Sequence, residues 1–245
     1  MESVLKVVNL KKDGILYGIT FELKEGEMVA IMGPSGSGKS TLLYNVAGMD
    51  QPDGGEVWLK EKEISALDED GKARLRLENM GFVFQQMNMV NNLNLIDNIL
   101  FPALQGNHRK AAIAAAKTEK ARQLMEKMSI QDLAQRKISE VSGGQLQRAC
   151  ICRSLMNDPH ILFADEPTGA LNQSAAGQVM EQMDDLHQEG MTILLVTHDH
   201  KIAAHCDRVL YLLDGQIQKE LVFPENLPRK KRETMLSKWL AEMGW

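Results

Sequence analysis

Nine residues, Gly33-Pro34-Ser35-Gly36-Ser37-Gly38-Lys39-Ser40-Thr41, limit what this chain can fold into more than any other stretch. They carry the pattern G-x-x-x-x-G-K-S between an apolar run, Met28–Met32, and a helix start, Thr41–Ala47. A phosphate-binding loop needs that strand–loop–helix setting. Glycine lets the backbone curl around an anion without Cβ clashes. Successive N–H groups then point inward, and the following helix adds the positive end of its dipole. In such a loop Lys39 bridges the β- and γ-phosphates. The Ser40 hydroxyl holds Mg²⁺, a hard cation that takes oxygen ligands and the substrate's own phosphates.

The rest of the chain bounds the partners. Its 245 residues can bury a core as one large domain or as a domain with a lobe. A net charge of −5 argues against nucleic acid, because phosphate backbones want a basic surface. Cys150, Cys152 and Cys206 are too few for a disulfide framework and fit a reduced, cytosolic setting. Cys150 and Cys152 are two apart in a predicted helix, so they point to different sides and read as small core residues. No N-terminal signal pattern is visible, and apolar runs such as Ile193–Val196 fall far short of the ~20 residues that span a bilayer. The chain is expected to be soluble by itself.

Strand character recurs at Ser3–Leu10, Ile19–Leu23, Met28–Met32, Glu56–Leu59, Met80–Phe84, His160–Ala164 and Met191–Val196. A hairpin is predicted around Asp214-Gly215, between Arg208–Leu213 and Gln216–Val222. Helices are predicted at Asp68–Leu77, Lys110–Met128, Gln145–Met156 and Gln173–Gln188. This alternation predicts an α/β fold with a mostly parallel sheet, and a helical lobe inserted between strands. After Pro224 and Pro228 comes a basic cluster, Arg229–Arg232, then Met235, Leu236, Trp239, Leu240 and Met243 on one helical face. Such a helix lies on a membrane or partner, or packs on its own domain with its charges solvated.

Four further signals accompany the loop. The run Ile161–Glu166 ends in two carboxylates, where ligands gather in parallel sheets. There Asp165 helps hold Mg²⁺, and Glu166 accepts a proton from, or orients, an attacking water. Ser142, Gly143, Gly144 and Gln145 open a predicted helix, which makes them a second anion site or an ordinary N-cap. Gln85 stands at a strand end and offers an amide to a metal or phosphate. His198 follows the buried strand and Thr197, within reach of a γ-phosphate.

In this order the five motifs resemble the nucleotide-binding subunit of an ATP-binding-cassette (ABC) transporter over about residues 3–222. Residues 33–41 match Walker A, Gln85 the Q-loop, Val141–Gln145 the signature motif, Ile161–Glu166 Walker B and His198 the switch histidine. The resemblance implies a P-loop NTPase core with an N-terminal antiparallel β subdomain and a helical subdomain at about 86–158. A basic amphipathic tail at 223–245 follows a cassette of residues 1–222. It implies ATP and Mg²⁺ as ligands, with Ser40, Gln85 and Asp165 at the metal and Lys39, Glu166 and His198 in catalysis. It also implies a head-to-tail homodimer in which Ser142, Gly143 and Gly144 reach the γ-phosphate bound by the other subunit. A membrane permease is the further partner, docking near the Met- and Asn-rich stretch 87–98. The location implied is cytoplasmic, peripheral on the inner face of the cell membrane.

Two positions depart from the family pattern. The aromatic that stacks on adenine falls near Leu10, with Tyr17 further on, so an apolar contact is expected. The D-loop, Gly169-Ala170-Leu171-Asn172, ends in Asn where the family has Asp. Gly81–Gln86 and Glu166–Leu171 are similar to the macrolide-exporter, lipoprotein-release and antimicrobial-peptide-resistance branch. The function implied is an ATPase driving export, or membrane extraction, of a peptide or other amphiphile. The rival reading, motivated by Leu10 and Asn172, is an ATP-gated sensor or clamp with little hydrolysis.

Overall fold

Every residue of β3 (Met28–Met32), β7 (Ile161–Asp165) and β8 (Thr192–Val196) is buried. Strands covered on both faces read as unbroken apolar runs, which is how the sequence announces them. With β6 (Met80–Phe84), β9 (Arg208–Leu213) and β10 (Gln216–Val222) they form one six-stranded sheet, in the order β10-β9-β3-β8-β7-β6. All its pairings are parallel except β9 with β10. The computed structural model describes residues 2–105 and 111–245.

Alternate residues of these strands feed two cores. Met28, Ala30, Leu162, Ala164, Ile193 and Leu195 face one. Val29, Ile31, Ile161, Phe163, Leu194 and Val196 face the other. The first core is covered by α3 (Leu95–Leu100), α4 (Ala111–Lys127), α5 (Gly143–Ser154) and α6 (Gln173–Gln188), through residues such as Ile99, Met125, Ile151 and Val179. The second is covered by α1 (Lys39–Val46) and by an antiparallel sheet of order β2-β1-β4-β5. That sheet comprises β1 (Ser3–Lys12), β2 (Leu16–Lys24), β4 (Gly54–Leu59) and the short β5 (Lys62–Glu63). The result is the expected α/β architecture, with α1 and the antiparallel sheet laid against one face and α3–α6 on the other.

Local chemistry sets the element ends. Strands β1 and β2 run closer together than expected, because Gly14, at φ +72°, closes a tight turn. Helix α2 (Glu69–Asn79) starts where the Asp68 carboxylate accepts the Gly71 N–H at 2.8 Å. Helix α5 begins two residues before its expected start because Ser142 caps it. The expected start of α4 at Lys110 lies outside the described residues. The β9–β10 hairpin turns on Asp214 and Gly215, at φ +48° and +71°, both in the left-handed region that a tight hairpin turn requires.

After α7 (His200–Ala203), α8 (Arg229–Ala241) packs on the cassette. Leu236 and Leu240 are buried in the first core, and Trp239 and Met243 lie against it. Trp239 and Trp245 both meet the Tyr211 ring edge-on, with centroids 6.1 Å apart in each pair. Arg232 donates to the carbonyls of Leu227 at 3.0 Å and Cys206 at 2.9 Å. Met235 alone of the expected apolar face stays exposed. Among the described residues, no helix is long and apolar enough to cross a membrane. All three cysteines are buried, and burial pushes the Cys150 thiol up to about 11, so it stays a neutral core side chain.

Candidate functional site

The sheet register places Ile31, Val196, Asp165 and Phe84 in one row across β3, β8, β7 and β6. The chain therefore leaves these strands at the same edge, carrying residues 33–41, Thr197-His198, Glu166 and Gln85. This is the carboxyl end, where open parallel sheets bind ligands. The ladder continues a step further: Glu166 N–H donates to Val196 at 2.9 Å, and Thr197 N–H to Ile31 at 3.2 Å.

The loop after β3 is tightly held. A Cβ on Gly33 would overlap the Leu212 carbonyl oxygen and come within 2.7 Å of Ser37 Oγ. Gly38, at φ +97°, is the N-cap of α1, and its carbonyl accepts the Leu42 N–H at 2.8 Å. The Gly215 N–H donates to the Ser37 carbonyl at 3.3 Å, which ties the β9–β10 hairpin to the loop. The loop encloses a cleft of about 460 Å³, whose walls also include Ile15, Glu166 and His198.

Lys39 Nζ donates to the carbonyls of Gly33 at 2.8 Å and Pro34 at 2.9 Å, so its ammonium lies within the loop. Burial lowers its pKa, while the negative charges of Glu166 and Asp165 oppose that shift. Ser40 and Tyr44, one helical turn apart on α1, both donate to the Asp165 carboxylate. Ser40 Oγ reaches Oδ1 at 3.2 Å and the Tyr44 hydroxyl reaches Oδ2 at 2.9 Å. Burial and the bond to Asp165 push the Tyr44 pKa up to about 12, so the phenol stays a donor.

This cleft fits a magnesium–phosphate ligand. Ser40 lines it, and the buried Asp165 carboxylate, not itself a cleft wall, stands 3.2 Å from the Ser40 hydroxyl; both are hard oxygen donors of the kind Mg²⁺ takes. The buried Ser37 hydroxyl, in the loop itself, has no hydrogen-bond partner among the described residues. No group of three or more His, Cys, Asp or Glu among the described residues could hold a metal unaided. Phosphate oxygens and water would complete the shell.

Glu166 and His198 come preassembled. Glu166 adopts φ +48°, a strained conformation for a residue with a side chain and one that concentrates at functional sites. Its Oε1 accepts the His198 N–H at 3.1 Å and pairs with Nδ1 at 2.7 Å, and Oε2 accepts the Thr197 hydroxyl at 3.3 Å. The glutamate side chain is 16% exposed and the histidine 69%, so a shielded carboxylate steers an open imidazole.

The remaining motif residues lie elsewhere. Gln85 is exposed at the end of β6, with its amide beside Gly169, and is not among the cleft walls. Ser142 and Gln145 form a capping box: Gln145 N–H donates to Ser142 Oγ at 3.3 Å, and Ser142 N–H to Gln145 Oε1 at 2.8 Å. With Gly143 and Gly144 they open α5, outside the cleft of their own chain. A Cβ on Gly144 would stand 2.8 Å from Ala175 Cβ, so α5 and α6 approach closely there. Asn172 caps α6, accepting the Ala175 N–H at 2.9 Å, a task that needs the side-chain oxygen and not its charge.

The expected role of Leu10 is corrected. Leu10 is fully buried, paired with Ile19 and committed to the second core. Ile15 takes the cleft-facing position, 40% exposed in the tight turn after β1. Tyr44 is the residue that the sequence reading missed. Its position four residues after Ser40 was the available signal.

A second cleft of about 430 Å³ lies among Phe82, Phe84, Val90, Phe101 and Arg153. Arg153, on α5, donates to the carbonyls of Met87 and Asn88, each at 2.8 Å. Asn98 holds Val90 through both its N–H, at 2.7 Å, and its carbonyl, at 3.1 Å. Phe101 remains 47% exposed at the rim.

The ABC transporter family matches residues 16–169. This chain belongs to the ABC transporter family. Among curated relatives, the macrolide export ATP-binding/permease protein MacB of Bartonella henselae is 38% identical over 203 residues, covering 83% of this chain and 30% of MacB. The chain thus spans under a third of the length of such relatives. The ABC transporter ATP-binding protein MJ0796 of Methanocaldococcus jannaschii is 36% identical over 224 residues, covering 90% of this chain and 95% of that protein. The dimeric structure of MJ0796 superposes with a TM-score of 0.81 at 34% identity, over 90% of this chain and 99% of that one. A dimer of the same cassette, described as a post-hydrolysis state bound to ADP and Pi, gives 0.78.

Proposed function

We propose that this chain is an ATP-hydrolysing subunit that dimerises head-to-tail on ATP and drives a separate membrane permease. One observation carries the reading. Each chain holds a phosphate loop with a preassembled glutamate–histidine pair, and carries its signature residues, Ser142–Gln145, outside that cleft. A second copy turned head-to-tail can supply the missing half, and the dimeric state of the MJ0796 cassettes supports a unit of two copies.

The residues then divide the work. Backbone N–H groups of Gly33–Thr41 and the Lys39 ammonium take the phosphates. Ser40 and Asp165 hold Mg²⁺, which neutralises phosphate charge when bound. Glu166 Oε2 accepts the proton of the attacking water, while Oε1 keeps His198 oriented toward the γ-phosphate. Gln85, at the strand end beside Gly169, is read as a further metal or phosphate contact. The apolar cleft around Phe101 is read as the permease dock, and the helical lobe at about 86–158 as the part that transmits closure. The tail at 223–245 is read as an accessory unit, and the protein as peripheral on the inner face of the membrane. The kinship with MacB, a macrolide export protein, supports export. Membrane extraction, and a peptide or other amphiphile as cargo, are our own extension of that kinship.

A dimeric catalytic unit makes the rate depend on encounter. Phosphate release from Mg-ATP, expressed per subunit, is expected to rise with protein concentration until the dimer saturates. A per-subunit rate independent of concentration across the monomer–dimer range contradicts the reading.

A further inference from the structure

We infer that Tyr44 is a positioning residue for the metal: its hydroxyl fixes Asp165 so that the carboxylate and Ser40 present their oxygens together. The inference rests on the function proposed above. Asp165 is 8% exposed, and both of its oxygens are engaged from the same face of α1. The Ser40 bond, at 3.2 Å, turns that hydroxyl's proton onto the carboxylate and leaves its lone pairs for a cation. The Tyr44 bond, at 2.9 Å, is the shorter of the two and engages the oxygen that Ser40 does not. Without it, the carboxylate is free to turn about its Cβ–Cγ bond under a single, longer restraint.

The phenol is itself located by packing. The Tyr44 ring meets the Phe84 ring edge-on, with centroids 6.5 Å apart and planes at 66°. Phe84 stacks on Phe82 at 5.8 Å, and Phe82 on Phe163 at 5.5 Å. Phe163 belongs to β7, the strand that delivers Asp165. The tyrosine hydroxyl and its carboxylate are thus held by one aromatic ladder. Phe82 and Phe84 also wall the apolar cleft, so the group that orients Asp165 stands directly behind the surface assigned to the permease. Groups that hold a metal's ligands in place commonly change its affinity ten- to a hundredfold when removed.

The test is Tyr44→Phe, which keeps the ring and its packing and removes only the donor. A fluorescent trinitrophenyl-ATP is titrated into the full chain, once with Mg²⁺ and once with EDTA. In EDTA the variant is expected to bind within about twofold of wild type. With Mg²⁺ it is expected to bind about tenfold more weakly. The Mg²⁺ concentration giving half-maximal hydrolysis rises by a similar factor, and kcat at saturating Mg²⁺ stays within about twofold. Equal weakening with and without Mg²⁺ overturns the inference, because a merely structural role moves both alike. Unchanged affinity in both, or a wild type whose affinity ignores Mg²⁺, overturns it too. A wild type that binds no nucleotide under either condition refutes the functional reading itself.

Discussion

Glu166→Gln is expected to bind ATP with near-normal affinity and to hydrolyse it at well under a hundredth of the wild-type rate. The substitution is nearly isosteric. Its amide oxygen can still accept the His198 N–H that Oε1 now accepts at 3.1 Å, so the cleft keeps its shape. What it loses is a group able to take up a proton, and positioned acid–base groups contribute about 10²–10⁴ in rate. The strained φ of +48° at this residue does not depend on carboxylate charge, so folding is expected to be little changed. Phosphate release and nucleotide titration on the same preparation check both halves of the expectation. Turnover near wild type would remove Glu166 from its role.

Gly33→Ala is expected to abolish nucleotide binding and to destabilise the fold by about 3 kcal/mol or more. The reason is steric and not conformational, since Gly33 is not among the glycines with positive φ. Its new Cβ would overlap the carbonyl oxygen of Leu212, a fully buried residue of β9 in the second core. Neither partner can yield without displacing the loop or the strand. Gly36→Ala is the informative contrast. Among the described residues, no atom beyond its chain neighbours lies within 4 Å of the Cβ site there, so the cost is only the backbone strain of φ +81°, about 1–2 kcal/mol. Urea unfolding and ATP titration separate the two. Wild-type stability and binding in Gly33→Ala would mean that the loop is not held as described.

Much of this was legible in the chain, for physical reasons that differ by element. Strands β3, β7 and β8 were readable because burial on both faces leaves continuous apolar runs. The hairpin at Asp214-Gly215 was readable because few residues tolerate two positive φ values in succession. The phosphate loop was readable because its glycines answer to space, as Gly33 demonstrates. Leu10 was misassigned because it was placed by the family's sequence position, which does not say whether the residue faces the ligand or the core. Gly14 lets the chain turn early, and that hands the cleft position to Ile15. Tyr44 was missed because its role exists only once β7 brings Asp165 against α1, from 121 residues away in sequence. The packing of α8 was one of two open readings. Which of them holds depended on whether the fold left an apolar face for Leu236 and Leu240 to cover.

The central claim is that residues 33–41 of one chain and Ser142–Gln145 of another complete a single site. The most direct measurement is the mass of purified Glu166→Gln protein by light scattering, with and without Mg-ATP. A monomer that becomes a dimer only when Mg-ATP is present is the expected result. A protein that binds ATP yet stays monomeric at every concentration tested would contradict it.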